Sequence, residues 1–488
     1  MVTSLSVFSS RAFAEKDNDK SRQPDYLSLV KAYAEAMIED GRDIYGEVHS
    51  PLFAAALDRQ TMRIGEFPKI PGVRGIDRCL TAANPMQDQN LYQIMYTLSD
   101  ITGQQGYADE ADKTLKYFFE TCQSPNTGLM AWGEHAWWDL KVDAMRGGMH
   151  DGPHEFLRPW VLWDRCHELT PDAVLKCARG LWEHQIYDHE TGEFSRHASW
   201  SKHGPEGEWE FPRHGGFYIA AWAKAYRETQ DQVFPMAVET LLDMFNRNSS
   251  KLSGAMRSCT NWEIRHLAWP PSSLSLSIDL VASAPAFPER LQKKMLKRAR
   301  TSDRIYLKCP HDLGPDGKGF VNIVDVHTLK LRKDWRDDPY TQQWITGYGA
   351  AIDAQMANLC YRRYVQLKDG AIKDGFRQLI MGSARRYLSS NPDLSKPIYP
   401  GSMGGVIIHM LNAYEISGEK KFLERADHFA RIAVDNFLTE DSPLPRASSV
   451  HDHYEAITRA DSMMMALLKL WVAQHRPDAD VSLVWCDR

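Results

Sequence analysis

Over most of the chain, apolar residues recur every three to four positions, the spacing of a helix with one buried face. Phe422, Ala426, Phe429, Ala433 and Phe437 follow it, as do Ala111, Leu115, Phe118 and Phe119. The pattern predicts helices over 25–40, 87–102, 107–121, 154–168, 171–185, 215–228, 232–247, 273–284, 287–302, 345–366, 369–388, 403–417, 420–437 and 452–474. Strand-like pieces are short, Gly192–His197 and Phe320–Val326 among them.

Two distant helix junctions match almost position for position. Ile101-Thr102-Gly103-Gln104-Gln105-Gly106-Tyr107 leads into Ala111-Asp112, and Ile416-Ser417-Gly418-Glu419-Lys420-Lys421-Phe422 leads into Ala426-Asp427. Each joins a helix ending at glycine to one entered through an aromatic residue. Weaker copies start at Thr229 and at Leu169. Taken alternately, the helices become inner and outer members of repeated hairpins, which bury their faces only by stacking. The fold expected is all-α, an (α/α)6 or (α/α)7 toroid with short β-hairpins in its rim loops; an open solenoid is the alternative. Residues 23–478 would form this single unit, 1–22 a leader or signal-peptide remnant, and 479–488 a C-terminal tail. That leader suggests a periplasmic or secreted protein, with a cytoplasmic one as the alternative.

Composition narrows the function. A net charge of −6 without a dense basic run argues against nucleic acid as partner. No stretch approaches the roughly 20 apolar residues of a membrane span. The eight cysteines form no C-x-x-C pair, which argues against a zinc–thiolate centre; most are expected to be buried thiols packing as small apolar groups, with one or two disulfides left open. No P-loop, dinucleotide fingerprint or G-x-S-x-G elbow is present. Trp132, Trp137, Trp138, Trp200, Trp209 and Trp262 cluster in the long loops, where they would serve as sugar platforms.

Nine of the eighteen histidines fall between His135 and His214. Imidazole binds divalent metals and moves protons near neutral pH. His154 and His214 stand at the starts of successive expected inner helices, roughly 10 Å apart in such a ring, and could share one ion. Glu193 is the preferred third ligand, with Glu155 behind it. Arg213, beside His214, would clamp a substrate carboxylate, and His150 and Tyr454 are further catalytic candidates. Arg196, His197, Trp262, Glu263, Tyr348 and His453 are candidate substrate contacts. For each histidine, capping a helix or bonding backbone is the bland alternative.

With Arg213-His214 and the upstream His154 in view, the chain resembles the (α/α)-toroid carbohydrate-active enzymes, most of all pectate lyases of the family-2 type. The resemblance covers most of 25–474 in architecture. It implies a divalent metal (Mn, Ca or Zn) held by two His and a Glu, here His154 and His214 with no secure match for the Glu. It also implies Arg213 as base, and β-elimination from a uronate-containing polysaccharide. A glycoside hydrolase using Asp88, Asp151, Glu155 or Glu263, a sugar epimerase, and a non-catalytic carbohydrate-binding toroid are the alternatives.

Overall fold

The computed structural model describes residues 24–147, 154–199, 207–332, 338–347 and 352–488. Seven helices line the inside of a ring: α2 (Gln89–Thr102), α4 (Trp163–Leu169), α6 (Pro212–Thr229), α8 (Pro270–Ser283), α10 (Asp353–Gln366), α12 (Pro400–Ser417) and α14 (Ala460–His475). Each packs against an outer partner. In ring order the partners are α3 (Gly106–Thr121), α5 (Pro171–Gly180), α7 (Val233–Arg247), α9 (Glu289–Lys308), α11 (Ala371–Tyr387), α13 (Lys420–Phe437) and, for α14, α1 (Tyr26–Glu39). Neighbouring inner helices touch from α4 round to α14, and α14 packs on α2, which closes the ring. Tyr26 donates to Asp427 Oδ1 at 2.8 Å, fixing the first helix to α13.

The matched junctions have one cause. Gly103 and Gly418 cap α2 and α12 with φ of 73° and 69°, a left-handed backbone that glycine adopts without strain. Both caps donate to carbonyls one turn back, those of Ser99 and Tyr414.

Three expectations need correction. Residues 154–162 are irregular rather than helical, with His154 bridging Ala198 on one side and Glu155 bridging Gly133 on the other. Pro159 explains part of this, since it lacks an N–H and disfavours helix at the residue before it. The segment still holds an inner position: Gln89 donates to Pro159 O at 2.9 Å, and buried Arg158 donates to Met86 O at 2.7 Å. The helix expected over 452–474 starts only at Ala460, because Tyr454–Glu455 pairs as a strand with Ala56–Leu57. The segment 479–488 is not a loose tail. Cys486 and Asp487 are buried, and Asp487 accepts from Arg158 at 2.8 Å and from Ser462 at 2.6 Å. The reading of the cysteines as buried thiols agrees with the structure, in which all eight are free and buried. No helix among the described residues is long and apolar enough to cross a membrane.

Candidate functional site

The long α3–α4 connection carries a β-hairpin, β3 (Ala136–Asp139) with β4 (Ala144–Gly147). His135 immediately precedes it. Gly133 lies beside Glu155 with φ of 112°, and a Cβ there would come within 1.7 Å of the Glu155 carbonyl oxygen. Only glycine permits that approach. Asn84 fixes the turn by donating to Gly133 O at 2.8 Å and accepting from Gly133 N at 3.2 Å.

Extended backbone sends successive side chains to opposite faces. His154 therefore turns into the aromatic core and Glu155 to the opposite face, among His135, His197 and His214. His154 is fully buried among Trp132, Gln185 and Phe156. Trp132 Nε1 donates to its Nε2 at 2.9 Å. Since indole nitrogen only donates, Nδ1 carries the proton and gives it to Gln185 Oε1, also at 2.9 Å. Both ring nitrogens are thus spent, and burial pushes its pKa down to about 4. The structure does not offer His154 to a metal.

Glu155 instead meets three other histidines. Its Oε2 lies 2.8 Å from His197 Nε2 and 3.4 Å from His135 Nε2, and its Oε1 lies 3.3 Å from His214 Nε2. Arg196 donates to Oε1 at 2.8 Å. Burial opposes the charge on Glu155, but Arg196, His197 and His214 together hold its carboxyl well below the usual range. Burial, with Arg213 beside it, pushes His214 down to about 4 despite its contact with Glu155.

A divalent cation fits this set. Glu155 Oε2, His197 Nε2 and both His214 nitrogens are buried without a well-formed hydrogen bond. His135, Glu155 and His197 offer donor atoms all within 4.8 Å of one another. Arg74, 3.4 Å from His135 Nε2, can only donate, so that nitrogen is the bare one. Its Nδ1 faces Asp77 at 2.9 Å, the carboxylate–histidine arrangement that orients a metal ligand, though off the line of a good hydrogen bond. Bare nitrogen against carboxylate oxygen is repulsive until a cation stands between them.

An open cleft of about 230 Å³ is lined by Glu134 and Arg213, the neighbours in sequence of His135 and His214. Further round, Gln355, Tyr399, Ser402, Arg459, Trp485 and Arg488 line it. Burial and then Arg196 lower the proton affinity of Arg213, while burial and Glu155 raise that of Glu134. Among the described residues no carboxylate forms an ion pair with Arg213.

The structure thus gathers His214, His197 and Arg196 on Glu155 and leaves Arg213 on the cleft. It does not bring the other candidates there. Glu193 stands beside Gly207, where a Cβ would meet it at 3.3 Å. Tyr454 is buried, donating to Asp88 at 2.7 Å, with Asp88 itself pushed up to about 8 by burial and Asp461. His453 stacks on Phe67 and contacts Glu455 at 2.9 Å. Trp262 is 71% exposed and Glu263 also faces solvent. His150, Asp151, Trp200 and Tyr348 lie outside the described residues. Trp132 and Trp138 belong to the core. His135, Asp77 and Glu134 were not singled out by sequence. The available signal was the Gly-Glu-His run ahead of a strand, in the same long loop as the histidine-rich pieces.

A family model described as "Periplasmic pectate lyase" matches residues 50–248. A pectate disaccharide-lyase of Dickeya dadantii (strain 3937) is 22% identical over 214 residues, 43% of this chain and 38% of that protein. The match thus spans well under half of that relative. Among solved structures, a D-mannose isomerase aligns over 94% of this chain and 100% of its own at TM-score 0.49 and 8% identity. A cellobiose 2-epimerase from Bacillus thermoamylovorans B4167 aligns over 91% and 98% at TM-score 0.45 and 9% identity. The ring itself is established by its helix contacts. Residues 50–248 hold Asp77, Glu134, His135, Glu155, Arg196, His197, Arg213 and His214, so the chain resembles pectate lyases over the very stretch that builds the cluster.

Proposed function

We propose that the protein is a polysaccharide lyase, periplasmic or secreted, that cleaves a uronate-containing polymer by metal-assisted β-elimination. The observation that carries this is the Glu155–histidine cluster with Arg213 next to it on the cleft wall. His135, His197, Glu155 and His214 would hold a divalent cation, whose chemistry is to neutralise the substrate carboxylate and so acidify the C5 proton. The nitrogen-rich donor set favours a transition metal such as Mn or Zn over Ca, which prefers oxygen.

Arg213 takes the C5 proton. Burial and Arg196 lower its proton affinity, against Glu155 and Glu134, which raise it; as base it would act in the neutral form, its own proton having passed to solvent. The electron pair left at C5 forms the C4–C5 double bond as the bond from C4 to the glycosidic oxygen breaks. Glu134, which burial and Glu155 keep readier to hold a proton, hands one to the departing oxygen. The likeness to a pectate disaccharide-lyase makes pectate the first substrate to try.

Hydrolysis is the second reading, because Glu134 and Asp487 line the same cleft. Asp487, however, is tied to Arg158, Arg459 and Ser462. Incubation with pectate and other uronate polymers, with and without chelator, separates the two. Elimination gives unsaturated ends that absorb in the ultraviolet and a reaction that chelation stops; saturated products would move the assignment to hydrolysis.

A further inference from the structure

The outer helix α9 carries eight Lys and Arg against two acidic residues, in a chain of net charge −6. Its basic residues are spread through the segment, and winding into a helix gathers them on one side. Leu291, Met295 and Ile305 mark the face that packs on the ring. On the opposite face the exposed positions after Glu289 are Arg290, Lys293, Lys297, Arg300, Arg304 and Lys308, every one basic.

The two ends of this face differ. At the start of the helix acids answer the charge: Lys293 meets Glu289 at 2.6 Å, and Arg290 and Lys294 meet Glu239 of α7. Among the described residues, Lys297, Arg300, Arg304 and Lys308 form no ion pair. Asp303, the acid of that stretch, is buried and turned inward to Arg363 at 2.7 Å. A solvated helix face ordinarily mixes both signs in pairs one turn apart; here the pairs stop after the first turns and one sign remains. The four cations follow at three- and four-residue steps, about 5 Å along the axis and about 17 Å from first to last. Those steps are shorter than the screening length of about 8–10 Å at ordinary salt, so the four act together on a linear polyanion. Successive sugars of a uronate chain present their carboxylates at a similar step.

We propose that the Lys297–Lys308 face of α9 is a second, non-catalytic binding surface for an acidic polysaccharide, on the outer wall of the ring. The identity of the polymer rests on the uronate reading above. None of the four cations lines the cleft. Holding one stretch of a polymer on the outer wall raises the effective concentration of the rest at the cleft. The exposed positions of α9 include no apolar residue, which a helix lying on a membrane would bury in the lipid boundary. A single line of charge on an otherwise acidic chain fits one strand of a polyanion and not a nucleic acid duplex.

The test compares the wild-type protein with Lys297→Gln/Arg300→Gln/Arg304→Gln/Lys308→Gln. Glutamine is a good helix former and all four positions are exposed, so the fold stands. A control, Lys113→Gln/Lys116→Gln/Lys420→Gln/Lys421→Gln, removes the same charge from exposed positions of α3 and α13. Retardation in native gels containing polygalacturonate and chelator reads polymer binding, and turnover of trigalacturonate without chelator reads the cleft. The α9 variant should bind polygalacturonate at least tenfold more weakly, with trisaccharide turnover unchanged and the control variant binding as the wild type does. Undiminished binding in the α9 variant, or equal loss in the control, overturns the proposal. So does a wild-type protein that binds DNA or phosphatidylglycerol vesicles through this face and not polygalacturonate. Where the wild type cleaves trigalacturonate, only the surface falls; where it neither cleaves it nor binds polygalacturonate better than the methyl ester, the uronate reading falls with it.

Discussion

Substituting alanine for His154 and for His135 should produce opposite phenotypes, although both histidines are fully buried within the same loop system. Removing the His154 ring strands two groups, the Trp132 Nε1–H and the Gln185 Oε1, each of which bonds it at 2.9 Å. Leaving a buried donor or acceptor unmade costs about 1–3 kcal/mol, so the pair costs about 2–6 kcal/mol. An unfolding entropy near 2.1 cal/mol/K per residue gives about 1 kcal/mol/K for 488 residues. His154→Ala should therefore lower Tm by about 2–6 °C in chelator. His135→Ala loses only the long Arg74 contact at 3.4 Å and the off-line Asp77 contact, so its metal-free Tm should fall less than that of His154→Ala. Metal reverses the contrast. A cation at about 100 times its Kd stabilises by about 2.7 kcal/mol, hence about 3 °C. His154→Ala should keep that increment and His135→Ala should lose it. Thermal unfolding with and without added Mn or Zn, with metal content measured in parallel, is the assay. An increment lost in His154→Ala and kept in His135→Ala would refute this assignment of the ligands.

Gly133→Ala should abolish the same metal increment without touching any ligand, since its Cβ would collide with the backbone that carries Glu155; an unchanged increment would show that the segment can shift at no cost. Arg213→Lys keeps a charge but not the planar fork, and should lower kcat about a hundredfold or more with metal content unchanged; near-normal turnover would exclude it as base. His409, buried on α12 with Ser383 at 3.0 Å, is pushed down to about 3 by burial. Its folded pKa lies below the unfolded one, so the unfolded chain takes the proton first and stability is lost as pH falls from about 6.5 towards 3. His409→Asn should flatten the stability–pH slope in that window by about 1.4 kcal/mol per pH unit, and an unaltered slope in urea unfolding would contradict this. Deleting residues 479–488 removes Asp487 and leaves Arg158 buried against Asp461 alone. It should cost about 3 kcal/mol or more, and a truncated chain of unchanged Tm would mean the segment is dispensable to the ring.

The ring was legible because its signal is redundant. Outer helices such as α3 and α13 show the three-to-four spacing, inner ones such as α12 and α14 are buried along most of their length, and the glycine caps at 103 and 418 mark the repeat, so no single residue decides the outcome. The chemistry had no such redundancy. His214 and Arg213 were found because Pro212 opens α6 and puts both in its first turn. Arg196 and His197 were found as a pair but assigned to substrate, since nothing in the sequence shows that they face Glu155. Tyr454 was misplaced because a two-residue strand, paired with residues some 400 positions away, is invisible to local periodicity.

The exchange of His154 for Glu155 has a single geometric origin. Read as the first turn of an inner helix, residue 154 would face the cavity, and residue 155 would follow it by about 100° on the same side. In the extended backbone that actually forms, adjacent side chains point to opposite faces. One of the pair must then enter the aromatic core and the other the cleft. The neutral imidazole is the cheaper group to bury, given that Trp132 and Gln185 satisfy both its nitrogens. The carboxylate takes the face where Arg196, His135, His197 and His214 can answer its charge. A break in the inner ring thus sends a core residue and a candidate ligand, adjacent in sequence, to opposite faces. What holds the break open lies elsewhere in the chain, in Gly133 with its φ of 112° and in the π turn Leu181–Gln185 that delivers Gln185 to His154. Long-range partners of that kind decide which way an acidic residue points, and a one-dimensional pattern does not encode them.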